Sequence, residues 1–256
     1  MTLRFLAEDE VEPTRHGPVR RRRFDVVHTA RTVPGLLWTP PDAAGVRPLV
    51  LVSHGGSHSK RQDSVVALAR TLAGRHAMAV AAIDGPVHGD RRRDGAEGAL
   101  VFLEFAQAWA GDPTLTDAMV SDWRATLQAL RTLAEVGDGP VGWWGLSMGT
   151  ILGLPLVAAE ERIEAAVLGL MGLTGPTRAR IEVDAPKVRC PVLFLVQWDD
   201  ELFPRAGGFS LFDALGSADK RLHAYGGGHG DVPREGLAAS VAFLARQLGR
   251  PDGRPR

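Results

Sequence analysis

The stretch Val141-Gly142-Trp143-Trp144-Gly145-Leu146-Ser147-Met148-Gly149 constrains this chain more than any other. Its first four residues carry no polar break, as a strand covered on both faces requires. The run leads directly into G-x-S-x-G, and a helical pattern begins beyond it. A serine hydroxyl is a weak nucleophile, and a tight strand-to-helix turn exposes and aims it. Only small neighbours fit so crowded a turn, hence Gly145 and Gly149. The start of a helix below Ser147 favours negative charge developing nearby. The competing reading is a plain glycine turn with a surface serine. Pro155 falls where the helix should continue, so a short or kinked helix is expected there.

The remainder of the chain alternates short β-rich runs with amphipathic stretches. That is the pattern of an α/β protein with a mostly parallel sheet, here of about eight strands flanked by helices. Phe24 to Ala30 and Val33 to Thr39 read as two antiparallel opening strands near an edge. Pro48 to Ser53, Ala77 to Ile83, Val141 to Trp144, Ala165 to Leu170, Val192 to Val196 and Arg221 to Tyr225 read as the others. Helical spacing is clearest over Asp117 to Val136, with Val120, Trp123, Leu127, Leu130 and Leu133 recurring on one face. Asp63 to Ala73 and a C-terminal helix carrying Leu237, Val241, Leu244 and Leu248 complete the pattern. One domain over 1–256 is expected, with 1–23 as an N-terminal extension. The connection 85–116 is too long for a plain loop and reads as a small helical insertion over the end of the sheet. From Pro251 onward the polar tail should fray.

Charge and cysteine usage narrow the function classes. The 30 basic and 30 acidic residues cancel, so bulk electrostatics gives no case for nucleic acid. Arg20 to Arg23 and Arg91 to Arg93 read as solvated faces or turns, although the second run lies near enough to the serine to allow substrate contact. The single cysteine, Cys190, excludes an intrachain disulfide, fits a reducing compartment and reads as a small buried hydrophobe. No signal peptide and no run of about 20 apolar residues is present, so a cytoplasmic protein without a membrane partner is expected.

Three further elements surround the serine. Ser53-His54-Gly55-Gly56-Ser57 follows a buried strand, and its glycines let backbone approach a reacting centre. The amides of Gly56 and Met148 are the candidate donors to a developing oxyanion. His54 reads as a structural hydrogen-bonding group. With His58 it makes no metal site, because no carboxylate or cysteine cluster accompanies the pair. After Val192 to Val196 come Asp199, Asp200 and Glu201, three acids that compete to orient a histidine. Finally, Gly226-Gly227-Gly228-His229-Gly230 follows the last strand. Of the eight histidines, His229 is the one that follows the acids on such a glycine loop, in the order nucleophile, acid, histidine that the strand-turn-helix serine implies.

With these elements placed, the chain resembles the α/β-hydrolase superfamily, and most of all the branch of dienelactone-hydrolase-like enzymes and small bacterial serine esterases. The resemblance runs from about the third strand to the final helix. It rests on His54-Gly55-Gly56…Lys60, Asp84-Gly85-Pro86-Val87-His88-Gly89, the Ser147 elbow and the terminal Gly-x-His region. The family's acid stretch, aligned on Pro204, implies Asp200 as the acid, with Gln197 where a glycine is usual. Dienelactone hydrolases use a cysteine nucleophile, so Ser147 favours an ester hydrolase. Asp84 and His88 are implied to organise a loop, and the large cap some relatives carry between Leu170 and Val192 is absent.

The resulting expectation is hydrolysis of a small carboxylic ester or thioester through an acyl-enzyme on Ser147, Asp200 and His229, with no cofactor and no metal. The pocket wall is expected to include His54, Phe102, Phe105 and Trp198, with core packing as the competing role for each. A peptidase, acyltransferase or C–C bond hydrolase on the same residues is the first rival. A ligand-binding homologue without turnover is the second.

Overall fold

Strands buried on both faces must lie side by side, and the uninterrupted apolar runs do. The computed structural model describes residues 1–256 apart from 7, 8, 30, 43, 44 and 250–256. The expected fraying of the tail from Pro251 falls outside the described residues. In chain order the strands are β1 (Thr2–Phe5), β2 (Glu10–Thr14), β3 (Gly17–His28), β4 (Arg31–Thr39), β5 (Leu49–Val52), β6 (Ala79–Ile83), β7 (Val141–Trp144), β8 (Ile163–Gly169), β9 (Val192–Gln197) and β10 (Lys220–Tyr225). They form one sheet in the order β1-β3-β4-β6-β5-β7-β8-β9-β10, with β2 paired to β3. From β6 to β10 all neighbours are parallel, whereas β1 to β4 join antiparallel.

The sheet has ten strands rather than about eight, and Thr2–Phe5, Glu10–Thr14 and the start of Gly17–His28, within the span expected as an extension, belong to it. Charge hides these strands from a hydrophobic pattern. Glu10 stands directly opposite Arg21 across β2 and β3 and pairs with it. Arg21 also reaches Glu12, and Arg22 reaches Glu135. Opposite charges facing across a ladder supply what apolar alternation supplies elsewhere. The run Arg20 to Arg23 is therefore a paired stretch of strand, not a solvated turn.

Side chains alternate across the sheet and build two cores. Trp143 joins the layer covered by α3 (Leu115–Leu130), after α1 (Asp63–His76) and α2 (Ala99–Gly111) in the chain. There it meets Trp123 edge-on, with ring centroids 5.0 Å apart. Trp144 points to the opposite face, where the chain's last helix, Arg234–Leu248, packs with α1. Between them come α4 (Met148–Ile151), α5 (Gly153–Ala159), α6 (Arg178–Asp184) and α7 (Arg205–Ala214), making the last helix α8. The helix after the serine is broken at Leu152 as Pro155 requires. Pro155 sits in the first turn of α5, where its missing N–H costs no helical bond. Among the described residues no helix is long and apolar enough to cross a membrane.

Candidate active site

The parallel arrangement brings the carboxyl ends of β5, β7, β9 and β10 to one edge, and each sends one loop to a common point. Ser147 leaves β7 with φ +56 and ψ −118, a left-handed conformation that a non-glycine residue holds only when its surroundings enforce it. The enforcement is visible. Ser147 N–H donates to Gly169 O at 3.0 Å, and Gly145 N–H to Val167 O at 3.1 Å. Thr150 Oγ1 lies 2.9 Å from Gly145 O and 2.7 Å from Gly169 O, and it accepts Gly169 N–H at 2.8 Å. A Cβ on Gly145 would lie 2.6 Å from Gly149 O, which explains the first glycine of the motif.

His229 reaches over the sheet from the loop between β10 and α8. Its Nε2 accepts from Ser147 Oγ at 2.8 Å, and its Nδ1–H donates to Asp200 Oδ2 at 2.8 Å. Asp200 is buried, and its Oδ1 accepts the amides of Leu202 and Phe203 at 2.9 and 2.7 Å. The three acids separate cleanly in space. Asp200 meets the ring; Glu201 Oε2 accepts the backbone N–H of His229 at 2.9 Å; Asp199 contributes its own N–H to Gly227 O at 3.0 Å. Gln197, in place of the usual glycine, is buried and donates to Gly228 O at 3.3 Å.

The amides of Gly56 and Met148 have no protein acceptor among the described residues, and Gly56 and Ser147 border the same cavity. The Gly55–Gly56 peptide is held on its carbonyl side. His54 Nε2 accepts Gly85 N–H at 2.9 Å, so the ring's proton must be on Nδ1, which donates to Gly55 O at 2.8 Å. A hydrogen bond to that carbonyl orients the peptide and polarises its N–H. His88 places its Nε2 2.9 Å from Gly56 O and its Nδ1 beside Pro86 O. Burial, and next the adjacent His88, hold His54 well below its ordinary value of 6.5. Burial also pushes His88 down. The unfolded chain therefore takes up these two protons near pH 6.5 while the folded chain does not. Stability is full above about 6.5 and is lost as pH falls through that value toward the depressed folded ones. A urea midpoint that declines between about pH 7 and 5.5 is expected, ahead of carboxylate titration. A flat profile over that window contradicts this account.

Beneath His54 lies a buried ionic knot. Lys60 and Asp84 are both fully buried and paired, Lys60 Nζ also reaches Asp90 at 2.8 Å, and Asp84 accepts the amides of Lys60 and Asp90. Lys60→Met strips the cation from a buried carboxylate, so it is expected to cost roughly 3–5 kcal/mol. The urea midpoint measures this, and an unchanged midpoint contradicts it. Within the Arg91 to Arg93 run, the first two serve similar ties instead of the pocket: Arg91 bonds Asp122 at 2.7 Å, and Arg92 holds Asp94 and Glu104.

A cavity of about 430 Å³ opens at Ser147 and His229. Leu146, Leu170, Val232 and Leu237 make an apolar side, and Ser57 and Gln62 a polar one. Of the residues expected in its wall, only Phe102 is there. His54 is buried and absent from that wall. Phe105, three residues from Phe102 on α2, turns inward between His88 and Trp109. Trp198 is 47% exposed outside the cavity, under the Arg205 guanidinium. Residues 85–116 do border the cavity: Gly98 N–H donates to Ser57 O at 2.7 Å, Ser59 bonds Glu97 at 2.8 Å, and α2 supplies Phe102. Cys190 is partly buried, and burial pushes its thiol up to about 12, which leaves it unreactive.

Several solved structures share this arrangement of chain. A cold-adapted esterase from an Arctic intertidal metagenomic library, in its polyethylene-glycol-bound form, is 37% identical, covers 96% of this chain and 99% of its own, and superposes with a TM-score of 0.84. Acetyl xylan esterase 1 from Thermoanaerobacterium sp. matches at 16% identity and a TM-score of 0.68, over 95% of this chain and 87% of that one. A dienelactone hydrolase from Anabaena variabilis matches at 19% and 0.65, over 94% and 97%. These last two establish likeness of fold alone. No protein-family model and no curated protein sequence matches the chain.

Proposed function

The chain belongs to the esterase family of the 37%-identical cold-adapted enzyme, on an α/β-hydrolase fold, and is a carboxylic ester hydrolase; we propose that it is of the dienelactone-hydrolase-like branch and cleaves small esters through an acyl-enzyme on Ser147. His229 Nε2 takes the Ser147 proton as Oγ attacks the carbonyl carbon. The oxyanion settles against the Gly56 and Met148 amides, and Asp200 holds the imidazolium that forms. Collapse of the tetrahedral intermediate breaks the ester C–O bond, and His229 returns its proton to the departing alcohol. Water, deprotonated by the same imidazole, then releases the acid and regenerates Ser147.

One observation carries this reading: a single imidazole lies 2.8 Å from Ser147 Oγ on one side and 2.8 Å from a buried carboxylate on the other. The cavity has room for both halves of a small ester. Among the described residues its wall includes no lysine, arginine, aspartate or glutamate, which favours an uncharged substrate. Acid-quenching the protein during turnover of p-nitrophenyl acetate and mapping its peptides tests the mechanism. An acetyl group on the peptide containing Ser147 is expected. Product release with no acylated Ser147 across a rapid-mixing series contradicts it.

A further inference from the structure

Asp199, Asp200 and Glu201 stand together after β9, and the relay to Ser147 employs only the middle one. We propose that Glu201 is a positioning residue for catalysis, its carboxylate clamping the His229 backbone so that the imidazole reaches Ser147 and Asp200 together. The proposal rests on the catalytic reading of those three residues.

The need for a clamp comes from local sequence. His229 follows Gly226-Gly227-Gly228, and consecutive glycines leave a backbone with great conformational freedom. Gly227 itself sits at φ +112. Yet the ring at the end of this loop must satisfy two contacts of 2.8 Å at once, and small misplacements of a catalytic group are costly. The loop is accordingly pinned residue by residue. Gly227 O accepts the Asp199 amide, and Gly228 N–H donates to Asp231 Oδ2 at 2.8 Å. Gly228 O accepts from Gln197. Of these restraints, only the Glu201 bond acts on the residue that bears the imidazole.

Two more observations fit the role. A Cβ on Gly228 would lie 2.9 Å from Glu201 Oε2, so glycine at that position is what lets the carboxylate approach the loop. The His229 amide, aided by the charge its ring can carry, holds the Glu201 carboxyl below its ordinary value. Glu201 therefore stays ionised, and its bond stays charge-assisted, throughout the neutral range. Asp200 fixes which ring nitrogen bears the proton; Glu201 fixes where the ring is.

The test compares Glu201→Ala and Glu201→Gln with the native chain and with Ser147→Ala. Glu201→Ala is expected to lower kcat on p-nitrophenyl acetate about tenfold while KM stays within about twofold. Glutamine keeps a carbonyl oxygen that can accept the His229 amide, so Glu201→Gln recovers most of that loss. Fluorophosphonate labelling, which reports attack by Ser147 without turnover, slows in step with kcat. A Glu201→Ala kcat within about twofold of native, or Glu201→Gln as slow as Glu201→Ala, overturns the proposal. Full activity in Ser147→Ala removes instead the catalytic reading beneath it, a separate and recognisable outcome.

Discussion

Alanine at Ser147 or at His229 is expected to lower kcat for an aryl ester by about 10⁶-fold, and alanine at both by no more than either alone. The reason is the single shared step. The hydroxyl attacks only as its proton leaves, and the proton has one destination, His229 Nε2 at 2.8 Å. Removing either partner removes the same reaction path, so the second substitution has nothing left to remove. Residual hydrolysis then comes from ester held beside the Gly56 and Met148 amides. Neither substitution touches the sheet, so KM and the urea midpoint should hold. Losses that multiply in the double variant, or a single variant retaining a tenth of native activity, contradict a common relay.

Asp200→Asn is expected to lower kcat by roughly 10⁴-fold with the fold intact. The arrangement around Asp200 dictates the direction. Its Oδ1 accepts two backbone amides, from Leu202 and Phe203, so that position must remain an acceptor. An asparagine is thereby forced to put its carbonyl oxygen there and its NH₂ toward His229 Nδ1. Facing a donor, Nδ1 becomes the acceptor and the ring proton moves to Nε2, the atom that must receive the Ser147 proton. The side chain is nearly isosteric, so stability changes little, but the base is lost. Paired measurements of kcat and urea midpoint check this. A loss below about tenfold means that Asp200 does not govern the tautomer.

What sequence alone could reach follows from which physical signals are local. Burial on both faces is local: it gave β5, β7 and β9 nearly to the residue, and with β7 the position of Ser147. Turn chemistry is local too, so Gly145, Gly149 and the break near Pro155 were legible. Strands held by cross-strand charge are not, because Glu10 and Arg21 declare themselves as partners only once paired. This is why β1 and β2 read as an extension. The three acids after β9 have identical local chemistry, and their duties separate only when the His229 loop folds back over them. Phe102 and Phe105 lie three apart on one helix, where spacing puts them on neighbouring faces but cannot say which face meets the cavity. Gln197 broke the family's glycine pattern, and its bond to Gly228 O shows what the substituted residue does.

The most direct test of the central claim, an activated serine at the β7 elbow, is labelling of the native protein by a fluorophosphonate, with peptide mapping and with Ser147→Ala as the control. One phosphonyl group per chain is expected, located on Ser147 and absent from the folded variant. A native protein that does not label, or a Ser147→Ala variant that still does, contradicts it.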